Sequence, residues 1–189
     1  MKRERLGLAG VVILFILAGG LLAYAYKAVL FQWQKDESLN GTPKLLSTYG
    51  SSRAHLYFID ENHQFLKAEE RTLGRQDNAV ARARSMISGL IEGPKSHLLP
   101  ALPQETKLLA LYITEDGVGY ADFSKAISEK HPGGCLTELL TIFSVVNTLA
   151  LNLEEVERVK ILIEGREAQT LAGHIDIRFP FSPNIMMIK

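Results

Sequence analysis

The chain has 189 residues, 21 lysines and arginines against 21 aspartates and glutamates, and an ordinary apolar content. That length favours one domain plus a targeting segment, and the charge balance argues against a general polyanion binder, nucleic acid included. The single cysteine, Cys135, excludes an internal disulfide framework and a multi-thiolate zinc site, and its expected place is the core.

Met1 to Arg5 carries Lys2, Arg3 and Arg5 against Glu4, and no charged residue appears from Leu6 to Tyr26. As a helix that run would rise about 31 Å, enough to cross a hydrocarbon core of about 30 Å. The basic start keeps the N-terminus in the cytoplasm and places everything after Lys27 outside, with Tyr24, Tyr26 and Trp33 near the exit. The rival reading is a cleaved signal peptide, because Ala23-Tyr24-Ala25 matches a small-x-small site; the length of the run and the bulk of Tyr24 and Tyr26 favour an uncleaved anchor. No cysteine follows the run at lipoprotein spacing. The anchor or signal peptide thus takes residues 1–31.

Residues 32–53 read as a flexible linker, with Gly41-Thr42-Pro43 and a small polar run from Ser47 to Ser52. Such a tether would span about 25 Å on average. The glycine spacing of a phosphate loop is missing from it.

The folded part, 54–189, opens with a short strand, His55 to Ile59, turned by Asp60-Glu61-Asn62. A second, shorter extended piece follows around Phe65 to Arg71. Asp77 is placed to cap a helix running to Glu92, with Val80, Ala83, Ile87, Leu90 and Ile91 on one face. Gly89 weakens that helix and Gly93-Pro94 stops it. Arg75, Arg82 and Arg84 lie around its first half, as a solvated face or an acidic partner's surface.

After a proline-punctuated loop, Lys107 to Thr114 is apolar on both faces, which predicts a central strand. Asp116-Gly117 signals a hairpin, and Val118 to Phe123 returns antiparallel. From Cys135, Leu136, Leu139, Leu140, Phe143, Val146 and Ala150 recur at helical spacing. That helix feeds a strand, Val159 to Ile163, and His174 to Phe179 alternates as a last, half-exposed strand before Pro180. The order predicts an α+β fold: a small mixed β-sheet with two helices packed on one face, preceded by one transmembrane helix.

Seven short motifs in order resemble the GerMN domain of sporulation and spore-germination proteins. They are Leu56-Tyr57-Phe58-Ile59-Asp60-Glu61, the pair Glu70-Arg71, Leu90-Ile91-Glu92-Gly93-Pro94, and Ala121-Asp122-Phe123-Ser124. Glu138 with Val146-Asn147-Thr148-Leu149, Val159 through Gly165, and Gly173-His174 complete the set, which covers Ala54 to Phe179. The resemblance implies a membrane-anchored or lipidated domain facing outward, with a βαββα order like that of ring-building modules. It implies no established catalysis. The chain carries one such domain where the best-known members carry two.

Candidate chemistry is sparse. Asp122 and Ser124 share a strand face, and His174 could approach them, yet no nucleophile elbow is present. His174 and Asp176 also share a face, but two ligands do not make a metal site, and His55, His63, His97 and His131 lack metal spacing. No residue is therefore assigned to catalysis, to a cofactor or to a metal. Asn147 and Thr148 sit late in the main helix, where a buried amide must find partners; Asn147 is expected to pin the helix to a loop, and Glu138 to serve the same purpose with Arg71.

The function these readings support is a non-catalytic protein-association module, held at the cytoplasmic membrane through Leu6 to Tyr26 and acting on envelope proteins or on itself. The first rival is a cell-wall glycan or peptidoglycan-peptide binder using Tyr57 or Tyr112; the second is a hydrolase built on Asp122, Ser124 and His174.

Overall fold

In the computed structural model residues 52–189 are described, so the expected anchor over Leu6 to Tyr26 and nearly all of the tether lie outside the described residues. Among the described residues no helix is long and apolar enough to cross a membrane. The elements in order are β1 (Ser52–Ile59), β2 (Leu66–Leu73), α1 (Ala79–Glu92), β3 (Leu108–Ile113), β4 (Val118–Phe123), α2 (Ala126–Glu129), α3 (Cys135–Ala150) and β5 (Arg158–Ile163), then a 3-10 turn at Ile185–Met187. The α+β class holds. The single sheet does not.

The described residues form two sheets, a β1–β2 hairpin and a three-stranded sheet in the order β3-β4-β5. In the second, β3 pairs antiparallel with β4 and β4 pairs parallel with β5. Parallel neighbours need a crossover, and α2 and α3 supply it between β4 and β5. That crossover makes β4 the central strand and leaves β3 at an edge, contrary to the expectation for Lys107 to Thr114. The apolar outer residues of β3 stay uncovered, with Leu109 46% and Tyr112 61% exposed.

The hairpin stays separate because α3 occupies the outer edge of β1. β2 is as long as β1, not a shorter piece, and the two run in full register from Ser52↔Leu73 to Ile59↔Leu66. The core lies between this hairpin, the two long helices and the inner face of the second sheet, and it includes Phe58, Leu56, Met86, Ile87, Leu90, Ile142 and Ile161, all fully buried. Each such side chain contributes about 1.5–3 kcal/mol relative to an exposed position.

Local signals explain the helix ends. Asn78, not Asp77, caps α1, its side chain accepting from Ala81 N–H at 2.9 Å. Gly93 closes the helix at φ 89°, a left-handed value that favours glycine. Inside α1, Gly89 is there for space: a Cβ would stand 2.7 Å from Leu56 Cδ1.

Two further expectations change. Leu136 lies outside the apolar face of α3, 46% exposed, and Cys135, the first helical residue, is exposed rather than packed in the core. His174 to Phe179 forms no strand. Residues 170–176 fold into a small turn with a Thr170↔Asp176 bridge, and the chain returns to a sheet only where Phe181 bonds Val159.

Candidate functional site

α3 is the organising element, and its polar residues show how. From Leu140 to Leu149 it is buried on every side, including Thr141, Ser144, Asn147 and Thr148. A polar atom there must be bonded or cost a desolvation penalty. Each one is bonded to another part of the chain.

Ser144 Oγ donates to Tyr57 C=O, and Thr148 Oγ1 accepts from Tyr57 N–H at 3.1 Å. One turn on, Asn152 accepts from His55 N–H at 2.9 Å and donates to His55 C=O at 2.8 Å. Ile59 completes the set by exchanging backbone bonds with Leu99. The helix thereby satisfies the edge of β1 in place of a neighbouring strand. Thr141 Oγ1 donates to Ala101 C=O at 2.7 Å and meets His131 Nε2 at 3.0 Å. Burial first holds His131 below its ordinary pKa, with Glu138 acting in the opposite direction.

Asn147 pins the helix to a loop, as expected. Its amide donates to Asn184 C=O at 3.0 Å and accepts from Asn184 N–H at 2.8 Å. Glu138 does not meet Arg71. It is fully buried and gathers the 172–175 turn, accepting from the N–H groups of Ala172, His174 and Ile175 and lying 2.6 Å from His174 Nδ1. Burial pushes its pKa up, but the Ile175 N–H, the His174 ring and the other N–H groups outweigh that, and the net shift is downward.

Arg71 instead works with Glu69 on the turn after α1. Arg71 donates to Gly93 C=O at 2.8 Å, while Glu69 accepts from Lys95 N–H, Ser96 N–H, the Ser96 hydroxyl and Arg71 Nε. Burial pushes the Glu69 carboxyl up; the Ser96 hydroxyl, the Lys95 N–H and Arg71 pull it down further, to about 2. Glu70, singled out beside Arg71 in the sequence, is exposed and faces Arg53 at 3.6 Å.

The expected constellations do not assemble. Asp122 accepts from Gly165 N–H at 2.8 Å, Ser124 Oγ accepts from Lys107 N–H at 3.0 Å, and His174 sits on Glu138; no hydrogen bond joins the three. Asp176 is held by Arg178 through 2.7 and 3.0 Å bonds. Among the described residues no cluster of three or more metal-ligating side chains occurs. Tyr57 is buried and Tyr112 exposed. Arg75 and Arg84 are exposed, and Arg82 reaches back to Arg53 C=O at 3.3 Å.

The residues missed from sequence are Thr141, Ser144 and Asn152, together with Glu69. Thr141, Ser144 and Thr148 recur at three- and four-residue steps as a polar stripe inside an otherwise apolar helix, and Asn152 continues that spacing just past its end. That periodicity was the available signal. Nothing local distinguishes Glu69 from Glu70 except strand parity, because Glu69 shares the inward register of Leu73.

Among the described residues, the outer edges of β2 and β3 carry backbone groups with no bond to a further element, and one cleft lies between β2 and α1, lined by Arg71, Thr72, Arg84, Ser88 and Lys95 among others.

Comparison with known proteins gives one picture. A family profile described as Germane, sporulation and spore germination, matches residues 55–169, well over half of the chain. A crystal structure of a candidate lipoprotein from Clostridium perfringens superposes with a TM-score of 0.52 at 28% identity, covering 70% of this chain and 88% of that one. The first GerMN domain of the sporulation protein GerM from Bacillus subtilis matches at TM-score 0.52 and 23% identity, over 71% of this chain and 96% of that domain. The tandem GerMN domains of the same protein match at 0.55 and 23%, with 71% of this chain but 46% of the tandem covered, as one domain against two. Among curated proteins there is no match.

Proposed function

Because this chain belongs to the Germane family of sporulation and spore germination, we propose that it displays a single GerMN-like domain outside the cytoplasmic membrane and acts there by associating with other envelope proteins, without catalysis. In this reading Leu6 to Tyr26 anchors the chain as a single-pass helix with the N-terminus inside, and the polar stretch from Gln32 up to β1 tethers the domain. Confinement at a surface raises effective concentration, which suits contacts that are individually weak.

The observation that carries the reading is the contrast between spent and unspent polar groups. The buried side chains Glu138, Thr141, Ser144, Asn147, Thr148 and Asp122 hold one part of the fold to another. Among the described residues, the edges of β2 and β3 hold open backbone hydrogen-bonding capacity where a protein partner can pair. Glycan binding retains Tyr112 as an exposed aromatic but loses Tyr57 to the core.

Photo-crosslinking in intact cells tests this reading. A photoreactive residue at Ala68 on β2 or Tyr112 on β3 should trap protein-sized adducts, while one at exposed Glu154, off both edges, should not. Adducts absent from both edges, or glycan alone in them, would contradict it.

A further inference from the structure

The cleft between β2 and α1 has a volume of about 360 Å³, and two independent features of it select a ligand class. The first is backbone direction. His55, Tyr57 and Ile59 of β1 turn their N–H and C=O groups away from β2, toward Asn152, Thr148, Ser144 and Leu99. In an antiparallel ladder their partners Glu70, Ala68 and Leu66, and Thr72 opposite Arg53, must then turn theirs away from β1. Leu66 C=O is taken by Lys189 N–H at 2.9 Å. No hydrogen bond among the described residues reaches the backbone of Ala68, Glu70 or Thr72. A run of open donors and acceptors therefore leads into the cleft, where Thr72 is part of the lining.

The second feature is charge. Arg84 and Lys95 line the cleft, and Arg75 lies between its lining residues Gly74 and Gln76. Among the described residues none of these three side chains has a carboxylate within ion-pair distance. Glu92 also lines the cleft, and Arg71 is already committed to Glu69 and Gly93, so the uncommitted lining charge stays net positive. No aromatic side chain lines it, so a sugar ring would find no stacking face there.

We propose that the free edge of β2 and this cleft receive an extended, acidic peptide segment of a partner protein, which adds as a strand beside β2 and sets carboxylates against Arg84 and Lys95. The proposal rests on the association reading above and names its surface. Strand addition supplies backbone bonds that are indifferent to sequence, and the cations select the partner.

The test uses the full chain in detergent, passed over immobilised hexapeptides. One set alternates threonine and glutamate, a second replaces glutamate with lysine, and a third keeps glutamate but carries N-methylated backbone; an acidic polysaccharide forms a fourth surface. The acidic peptide should retain the chain about tenfold more strongly than the lysine peptide. N-methylation should remove that retention. Thr72→Pro, which deletes one outward N–H and obstructs a neighbouring strand, should do the same. Arg84→Glu combined with Lys95→Glu should cut it by about tenfold. Should a variant fail to keep its far-ultraviolet circular dichroism, the N-methylated peptide decides alone on the wild-type chain. Equal retention of acidic and lysine peptides, or undiminished retention of the N-methylated set, overturns the proposal. So does retention by the polysaccharide with none by the peptides. If peptide retention fails while protein adducts still form at Tyr112, this surface is wrong and the association reading stands.

Discussion

Asn147 shows what a single buried side chain decides. Its amide meets both the N–H and the C=O of Asn184, so truncation leaves a donor and an acceptor of a partly buried residue without these partners. Asn147→Ala should therefore cost about 2–3 kcal/mol, read as a lower midpoint in urea with unchanged slope. Its place in an apolar helix made it legible in sequence, since an amide there must have a partner. Glu138 was equally conspicuous but its partner was not. A helix position specifies which face a carboxylate leaves from, whereas the 172–175 turn arrives there by tertiary folding.

Glu69 belongs to the same scale. Its folded pKa of about 2 lies below the ordinary 4.5, so ionised Glu69 stabilises the fold above the ordinary value, and that contribution is lost as pH falls from about 4.5 toward about 2. Glu138 and Asp60 are shifted in the same direction, with burial opposing and hydrogen bonds prevailing for Glu138, and the Phe65 N–H leading for Asp60. Glu69→Gln should lower stability at pH 7 by about 2 kcal/mol and flatten the acid limb of the stability curve. Thermal melts of both proteins at intervals from pH 7 to pH 2 would check it; parallel curves would exclude Glu69 as a contributor.

Among the elements, α1 carries a glycine that propensity alone would replace. Gly89→Ala gains up to about 1 kcal/mol of helix propensity. Its new Cβ, however, meets Leu56 Cδ1 at 2.7 Å, so the buried Leu56 side chain must shift within the cleft it lines. Overpacking of this kind costs about 1–3 kcal/mol, so Gly89→Ala should be destabilising on balance. Adding Leu56→Val should recover part of the loss, a coupling that a double-mutant cycle measures directly.

Element types were legible where periodicity and turn residues agreed, as in α1, α3 and the Asp116-Gly117 hairpin. Sheet order was less so. β3 is apolar on both faces yet sits at an edge, because the β4–α3–β5 crossover fixes which strand lies in the middle. The alternation of His174 to Phe179 was real as well, but Glu138 takes the N–H groups of His174 and Ile175, and Ile177 N–H goes to Gln169 C=O. Those donors are spent inside the loop before a sheet can use them.

At the scale of the whole molecule, two sheets are joined through one buried helix whose hydroxyls and amides stand in for a missing strand. Side-chain bonds from Ser144, Thr148 and Asn152 close β1, and Phe181 pairs with Val159 on the outer edge of β5. Among the described residues the backbone of β2 beyond Leu66, and that of β3, carries no bond to a further element on its outer edge. This asymmetry separates a hydrogen-bonded interior from edges whose backbone groups stay open, and it was visible in sequence only as a polar stripe. Asp122, Ser124 and His174 are spent on different partners, whereas the association reading uses backbone groups that the described fold leaves unpaired.

The central claim is that this domain stands outside the cytoplasmic membrane, where those edges meet envelope proteins. The chain's single cysteine, Cys135, is exposed on the domain and makes the claim directly measurable. A membrane-impermeant maleimide applied to intact cells should modify Cys135 fully, with no further labelling after lysis. Protection in intact cells followed by labelling only in lysates would put the domain in the cytoplasm and contradict the account.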